Sequence, residues 1–247
     1  FIITGGRGSG KSFAVTVFLT LLTMTKGIRV LFTRYTMTSA RLSIIPEFLE
    51  KINLLGYDNI FSVNKAEVVN LGNQSDILFR GIKTSAGNQT GNLKSLTNVS
   101  NWVLDEAEEL VDENIFDTID LSIREKEIQN RVILILNPVT KEHWIYRRFF
   151  EDKGVQAGCY IHSTYLDNKD NLSTSFLERI KAIKHKNIKK YQHSIMGGWL
   201  DKAEGVVFEN WRIGDFNPDG LQTSCGMDFG FSVDPDSLTE IAIDKKQ

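Results

Sequence analysis

Residues Gly5-Gly6-Arg7-Gly8-Ser9-Gly10-Lys11-Ser12 fit G-x-x-x-x-G-K-[S/T], the pattern of a loop that wraps nucleotide phosphates. The glycines let backbone N–H groups turn inward around an anion. The helix that follows adds the partial positive charge of its N-terminus. Lys11 can reach the β- and γ-phosphates, and the Ser12 hydroxyl can ligate Mg²⁺. Arg7, inside the loop, could clamp the γ-phosphate in cis or pair with a surface acid. Further along, Trp102-Val103-Leu104 runs into Asp105-Glu106. An Asp at the carboxyl end of a buried strand suits the Mg²⁺ already held by Ser12. A second carboxylate directly after it suits a general base on the attacking water. Transfer to an organic acceptor needs no such base, so the pair selects hydrolysis. The alternative for Glu106 is a first-turn acid favoured by the helix dipole. Asn137-Pro138 closes the next buried strand, where a polar side chain faces the ligand crevice of an open α/β sheet. It is either a γ-phosphate sensor or a strand-ending turn.

The elements around these residues must be strands that end at the site and helices that leave it. Phe1–Thr4 reads as the end of a buried strand, and Phe13–Leu19 opens an apolar-striped helix. Residues 28–33 form a second strand. A helix follows over 37–55, with apolar positions at Leu42, Ile45, Phe48, Leu49, Ile52 and Leu55. Residues 63–81 read as a hairpin turning at Gly72–Ser75. Residues 83–100 are a long Thr/Ser/Gly/Asn-rich loop. An acidic helix spans 107–120, a buried strand 131–136, a Trp- and Arg-bearing helix 141–152, a strand 160–165 and a helix 175–196 broken at Gly197-Gly198. Strands alternating with helices predict a mainly parallel sheet covered on both faces.

The 247 residues allow one large domain or one and a half. A hydrophobic fraction of 41% supports a proper core, and a net charge of −2 gives no bulk attraction to nucleic acid, so any DNA contact must be a local patch. No apolar run is long enough to span a membrane. Cys159 and Cys225 lack CxxC neighbours, which suits a reducing compartment. His143, His162, His185 and His193 have no metal-ligand spacing. Both ends read as cut: the chain starts at Phe1 inside a strand and stops just after the apolar run 239–243.

An Arg within the phosphate loop resembles the large terminase subunits of tailed bacteriophages. Further stretches resemble the same family in order: Leu93-Lys94-Ser95-Leu96, Leu104–Glu109, Leu134–Pro138, His162–Asn168, Gly197-Gly198-Trp199 followed by Glu204–Phe208, and Gly226–Gly230 followed by Asp234-Pro235. The resemblance implies a RecA-like P-loop fold of the additional-strand, catalytic-Glu type in residues 1–196. It implies a linker over 197–222 and the first strands of a ribonuclease-H-like nuclease over 223–247. It implies ATP and Mg²⁺ at the loop, Asp105 in the metal shell, Glu106 as hydrolytic base and Asn137 in a motif coupling hydrolysis to movement. Asp228 would be the first nuclease ligand for Mg²⁺ or Mn²⁺, unless it is a strand-end turn residue. Such a chain drives double-stranded DNA into a procapsid. Its partners are the portal protein, a small terminase subunit and further copies in a ring, with no membrane. It works in the cytoplasm of the infected host and transiently on the portal, and is not in the mature virion. Adenine-contacting residues would lie upstream of Phe1 and further nuclease ligands beyond Gln247, so the chain as given is expected not to cut DNA.

Arg179–Lys190 is the densest basic run and could track a phosphate backbone if Ile180, Ile183 and Ile188 face the core. The alternative is a solvated helix face. Lys94 and Arg124 are candidates for a charge supplied to a neighbouring subunit, or are surface residues. Two other functions compete with a motor: a helicase-like P-loop ATPase on nucleic acid, and a non-hydrolysing assembly module. Glu106 speaks against the latter.

Overall fold

The computed structural model describes residues 1–64, 66–84, 87–88, 93, 96–151, 158–201, 217–228 and 237–243. They belong to two units, Phe1–Glu204 and Gly205–Gln247. The strands of the first unit are β1 Ile2–Gly5, β2 Arg29–Thr36, β3 Phe61–Val63, β4 Glu67–Asn70, β5 Asp76–Thr84, β6 Gly87–Asn88, β7 Asn101–Asp105, β8 Arg131–Leu136 and β9 Tyr160–Ser163. They build one sheet in the order β3-β4-β5-β2-β7-β8-β1-β9, with β6 alongside β5. From β5 to β9 every neighbouring pair is parallel, and β3 and β4 add an antiparallel edge. The 63–81 hairpin is present, as β4 and β5.

The buried runs divide by alternation. Leu31, Trp102, Leu104, Leu134 and Leu136 face one side of the sheet, and Val30, Phe32, Val103, Ile133 and Ile135 face the other. Both faces must therefore be covered, as in parallel sheets generally. Helices α1 (Lys11–Leu22) and α2 (Met37–Leu54) contribute Val15, Leu19, Phe48 and Ile52 to the second face. The first face is covered by α3 (Glu113–Asp120), through Ile115, Phe116 and Ile119, and by Trp144 and Ile145.

Several predicted helices are shorter or broken. The buried stripe of α2 is Ile44, Phe48 and Ile52, while Leu49 stays exposed. The acidic stretch forms a 3₁₀ turn at Ala107–Glu109 before α3, whose start is fixed by the Asp112 side chain accepting from Asn114 N. Residues 141–152 yield only the short α4 (Trp144–Tyr146) and a π-helical turn, Arg147–Glu151. The 175–196 helix is α5 (Thr174–Lys186), a break at Asn187, the short α6 (Ile188–Lys190) and a π turn, Tyr191–Ile195. Asn187 leaves helical dihedrals and caps α6 with its own side chain, the role this residue type favours over a helix interior. Ile180 is buried but Ile188 is 51% exposed, because the break turns it away from the core.

In the second unit β10 (Gln222–Asp228) pairs antiparallel with β11 (Ser237–Ile243), and Asp228 lies opposite Ser237. Asp234 and Asp236 lie outside the described residues.

Candidate active site

Strand order makes the site. β8 lies between β1 and β7, so the carboxyl ends of three adjacent parallel strands deliver the glycine loop, Asn137 and Asp105-Glu106 to one edge. The register Thr4↔Leu136 sets Asn137 beside Gly5, and Thr33↔Leu104 sets Arg34 beside Asp105. A cleft of about 220 Å³ opens there, lined by residues 6–13 together with Arg34, Asp105, Glu106 and Asn137.

The loop is shaped to receive an anion. Gly8 and Gly10 have φ of 82° and 78°, in the left-handed region open to glycine, and Gly10 hands the chain to α1 without offering its first amides a side-chain cap. Lys11 Nζ is tied back over the loop, donating to Gly5 O at 2.8 Å, Gly6 O at 3.4 Å and Ser9 Oγ at 3.3 Å. It also donates to Asn137 Oδ1 at 3.0 Å. Burial pulls the Lys11 pKa down, against the charges of Glu108 and Asp105. Arg7 is exposed at the rim of the same cleft. Ser12 and Asp105 both line this cleft, and both carry oxygen donors of the kind that suits a hard cation.

The acidic pair is held apart by its backbone. Asp105 ends β7 and is almost wholly buried. Glu106 then takes φ 53°, ψ 47°, an uncommon left-handed conformation for a non-glycine residue that costs about 1–3 kcal/mol. That turn lifts the Glu106 side chain into the cleft. Burial raises its pKa, partly offset by Arg34 and reinforced by Asp105. A more basic carboxylate is a better proton acceptor from water.

Arg34 went unnoticed in the sequence. Its Nε donates to Asp105 Oδ2 at 2.7 Å, and its guanidinium stands 3.6 Å from Glu106 Oε2. The only signal was a charged residue at the carboxyl end of a buried strand, and the contact needs the β2–β7 pairing to exist. Glu108 was also missed as an individual: its Oε1 accepts from Asn137 Nδ2 at 3.0 Å.

Residues 1–198 match the family model described as phage terminase large subunit. The chain belongs to the phage terminase large-subunit family. The large terminase of Bacillus phage SPP1 is 27% identical over 270 residues, an alignment covering 100% of this chain and 61% of that protein. This terminase chain therefore spans about three-fifths of its curated relative. Among solved structures, the large terminase of a thermophilic bacteriophage superposes with TM-score 0.68 at 16% identity, over 99% of this chain and 60% of that one. The ADP complex of that same phage protein gives 0.64 at 15%, over 99% and 60%. The bacteriophage Phi-29 genome packaging motor assembly gives 0.54 at 14%, over 100% and 77%. These likenesses establish a P-loop, RecA-like ATPase-domain fold.

Two stretches that carried the resemblance, His162–Asn168 and Gly197–Trp199, together with the residues just before the second, brace the phosphate loop of this terminase from outside. Asn168 Nδ2 donates to Gly8 O at 3.0 Å, and Arg7 N donates to Ser194 O at 3.0 Å. Gly197, at φ 70°, lies so close that a Cβ there would sit 2.6 Å from Gly5 C and Gly6 N. His162 joins β9 to the same segment, with Nδ1 on Thr4 Oγ1 at 2.8 Å and Nε2 on Met196 O at 2.9 Å. Lys94 lies outside the described residues, and Arg124 is exposed. Among the described residues no group of His, Cys, Asp and Glu could hold a metal alone.

Proposed function

We propose that this chain hydrolyses ATP to drive double-stranded DNA into a procapsid. The observation that carries it is the convergence of the glycine loop, Asp105, Glu106 and Asn137 on one cleft. Gly5 to Gly10 would surround the phosphates with backbone N–H groups, and Lys11 would turn from Asn137 onto the β/γ-phosphates. Ser12 and Asp105 would hold Mg²⁺, which when bound spreads the charge that develops on the phosphates. Glu106 takes the proton of the attacking water, whose approach its backbone turn directs. Arg7 clamps the γ-phosphate from the rim. Asn137 senses it and passes its state on.

Further roles extend this picture. The exposed lysines of α5 and α6 grip the DNA backbone without reading bases. Residues 1–196 are the motor and 197–222 the linker. Residues 223–247 start a ribonuclease-H-like nuclease, with Asp228 as first ligand for Mg²⁺ or Mn²⁺. The partners are the portal protein, a small terminase subunit and further copies in a ring, where a neighbour supplies a charge such as Lys94 or Arg124. The setting is the cytoplasm of an infected host, then the procapsid portal. Support comes from family membership and from two structural neighbours, a large terminase in complex with ADP and a genome packaging motor assembly. The test is ATP-dependent protection of duplex DNA from nuclease in the presence of procapsids. Protection supports a packaging motor; strand separation without uptake of intact duplex would favour a helicase.

A further inference from the structure

Lys11, Asn137 and Glu108 form a chain of hydrogen bonds whose polarity is fixed by chemistry. Lys11 can only donate, so it must meet the Asn137 carbonyl oxygen, at 3.0 Å. A carboxylate accepts, so Glu108 Oε1 must meet the Asn137 amide nitrogen, also at 3.0 Å. The two neighbours together decide which way the amide faces. Glu108 itself has little freedom. It sits in the 3₁₀ turn Ala107–Glu109, between the buried Ala107 and Leu110, directly after the left-handed Glu106. Its Oε2 is buried with no hydrogen-bond partner among the described residues. A carboxylate oxygen kept out of water without a hydrogen-bond partner destabilises the fold.

We propose that Glu108 is the positioning residue that fixes the orientation of Asn137, turning its carbonyl oxygen, not its amide nitrogen, toward Lys11 and the phosphate side of the cleft. When Lys11 moves onto phosphate, that oxygen is left free to accept a hydrogen bond from the attacking water. Asn137 then senses the γ-phosphate through Lys11 and that water, and not by donating to a phosphate oxygen. Asn137 thereby orients water and reports the position of Lys11, and the same short turn carries both Glu106 and the group that sets its helper. This deepens the ATPase reading above and rests on it.

The test is a polarity swap read by steady-state ATP hydrolysis, with kcat and KM separated and melting temperature measured alongside. Glu108→Gln replaces an obligate acceptor by an amide that can present either a donor or an acceptor, so Asn137 is no longer held one way once Lys11 leaves it: kcat falls about tenfold while KM stays near wild type and melting temperature does not fall. Asn137→Asp sets two carboxylates face to face and falls further. Combining them restores one donor and one acceptor at that contact while Lys11 still meets an oxygen. The double variant should therefore exceed Asn137→Asp by roughly fivefold or more in kcat. Independent, multiplicative losses would overturn the proposal, as would Glu108→Gln turning over like wild type. A Glu108→Gln that loses melting temperature but keeps kcat would overturn it too, by showing a purely structural role. A wild-type protein without ATP hydrolysis would instead take down the reading on which this one rests.

Discussion

Arg34→Met is the substitution whose size follows most closely from the structure. The side chains of Arg34 and Asp105 are 11% and 5% exposed, and two guanidinium nitrogens each reach Asp105 Oδ2 at 2.7 Å. Methionine keeps much of the packed stem and removes the charge. Asp105 is then left as a buried carboxylate without its partner. Breaking such a pair costs about 3–5 kcal/mol, and the open cleft on one side argues for the lower end, about 3 kcal/mol. In a unit of this size that lowers the melting temperature by roughly 6–12 °C. The deficit should be largest in metal-free buffer and should shrink when Mg²⁺ and a non-hydrolysable ATP analogue are added, because positive charge then returns to Asp105. Thermal unfolding followed by circular dichroism under both conditions measures it. A variant within about 2 °C of wild type without metal would show that Asp105 does not depend on Arg34.

Gly197→Ala should abolish nucleotide binding and destabilise the fold, since its Cβ would lie 2.6 Å from Gly6 N in a segment at φ 70°; equilibrium binding of a fluorescent ATP analogue measures this. Burial holds the Glu108 carboxyl above its ordinary 4.5, outweighing the Asn137 amide. The native state therefore binds more protons than the unfolded chain just above that value, and stability is lost as pH rises through the folded pKa. Glu108→Gln removes this loss, so its melting temperature should gain on wild type on going from about pH 4.5 to about pH 8. Replacing the exposed Lys181, Lys186 and Lys189 by Ala should weaken duplex binding regardless of sequence and flatten its salt dependence by roughly 0.9 per lysine, measured by fluorescence anisotropy.

Local signals in the sequence revealed the parts of the site that are contiguous in the chain. The glycine loop announces itself because phosphate binding needs several backbone amides in a row, and Asp105-Glu106 because a buried strand rarely ends on two carboxylates. The parallel sheet was legible too, since 28–33, 102–104 and 131–136 are apolar on both faces. Contacts that depend on strand order were not. Arg34 reaches Asp105 only because β2 lies beside β7, and Glu108 reaches Asn137 only because β8 lies beside β7. Asn168 and Gly197 were visible as members of resembling stretches, but their purpose depends on the close approach of a segment more than a hundred residues downstream of the loop. Helix lengths failed where side-chain capping competes with propensity, at Asp112 and Asn187.

The proposed mechanism stands on Glu106 activating water at a bound ATP. The decisive measurement is single-turnover hydrolysis by Glu106→Gln, with binding of a labelled ATP analogue followed on the same preparation. Affinity should stay close to wild type while hydrolysis slows by about a hundredfold or more. Turnover at the wild-type rate with normal binding would contradict the assignment of Glu106 as the base.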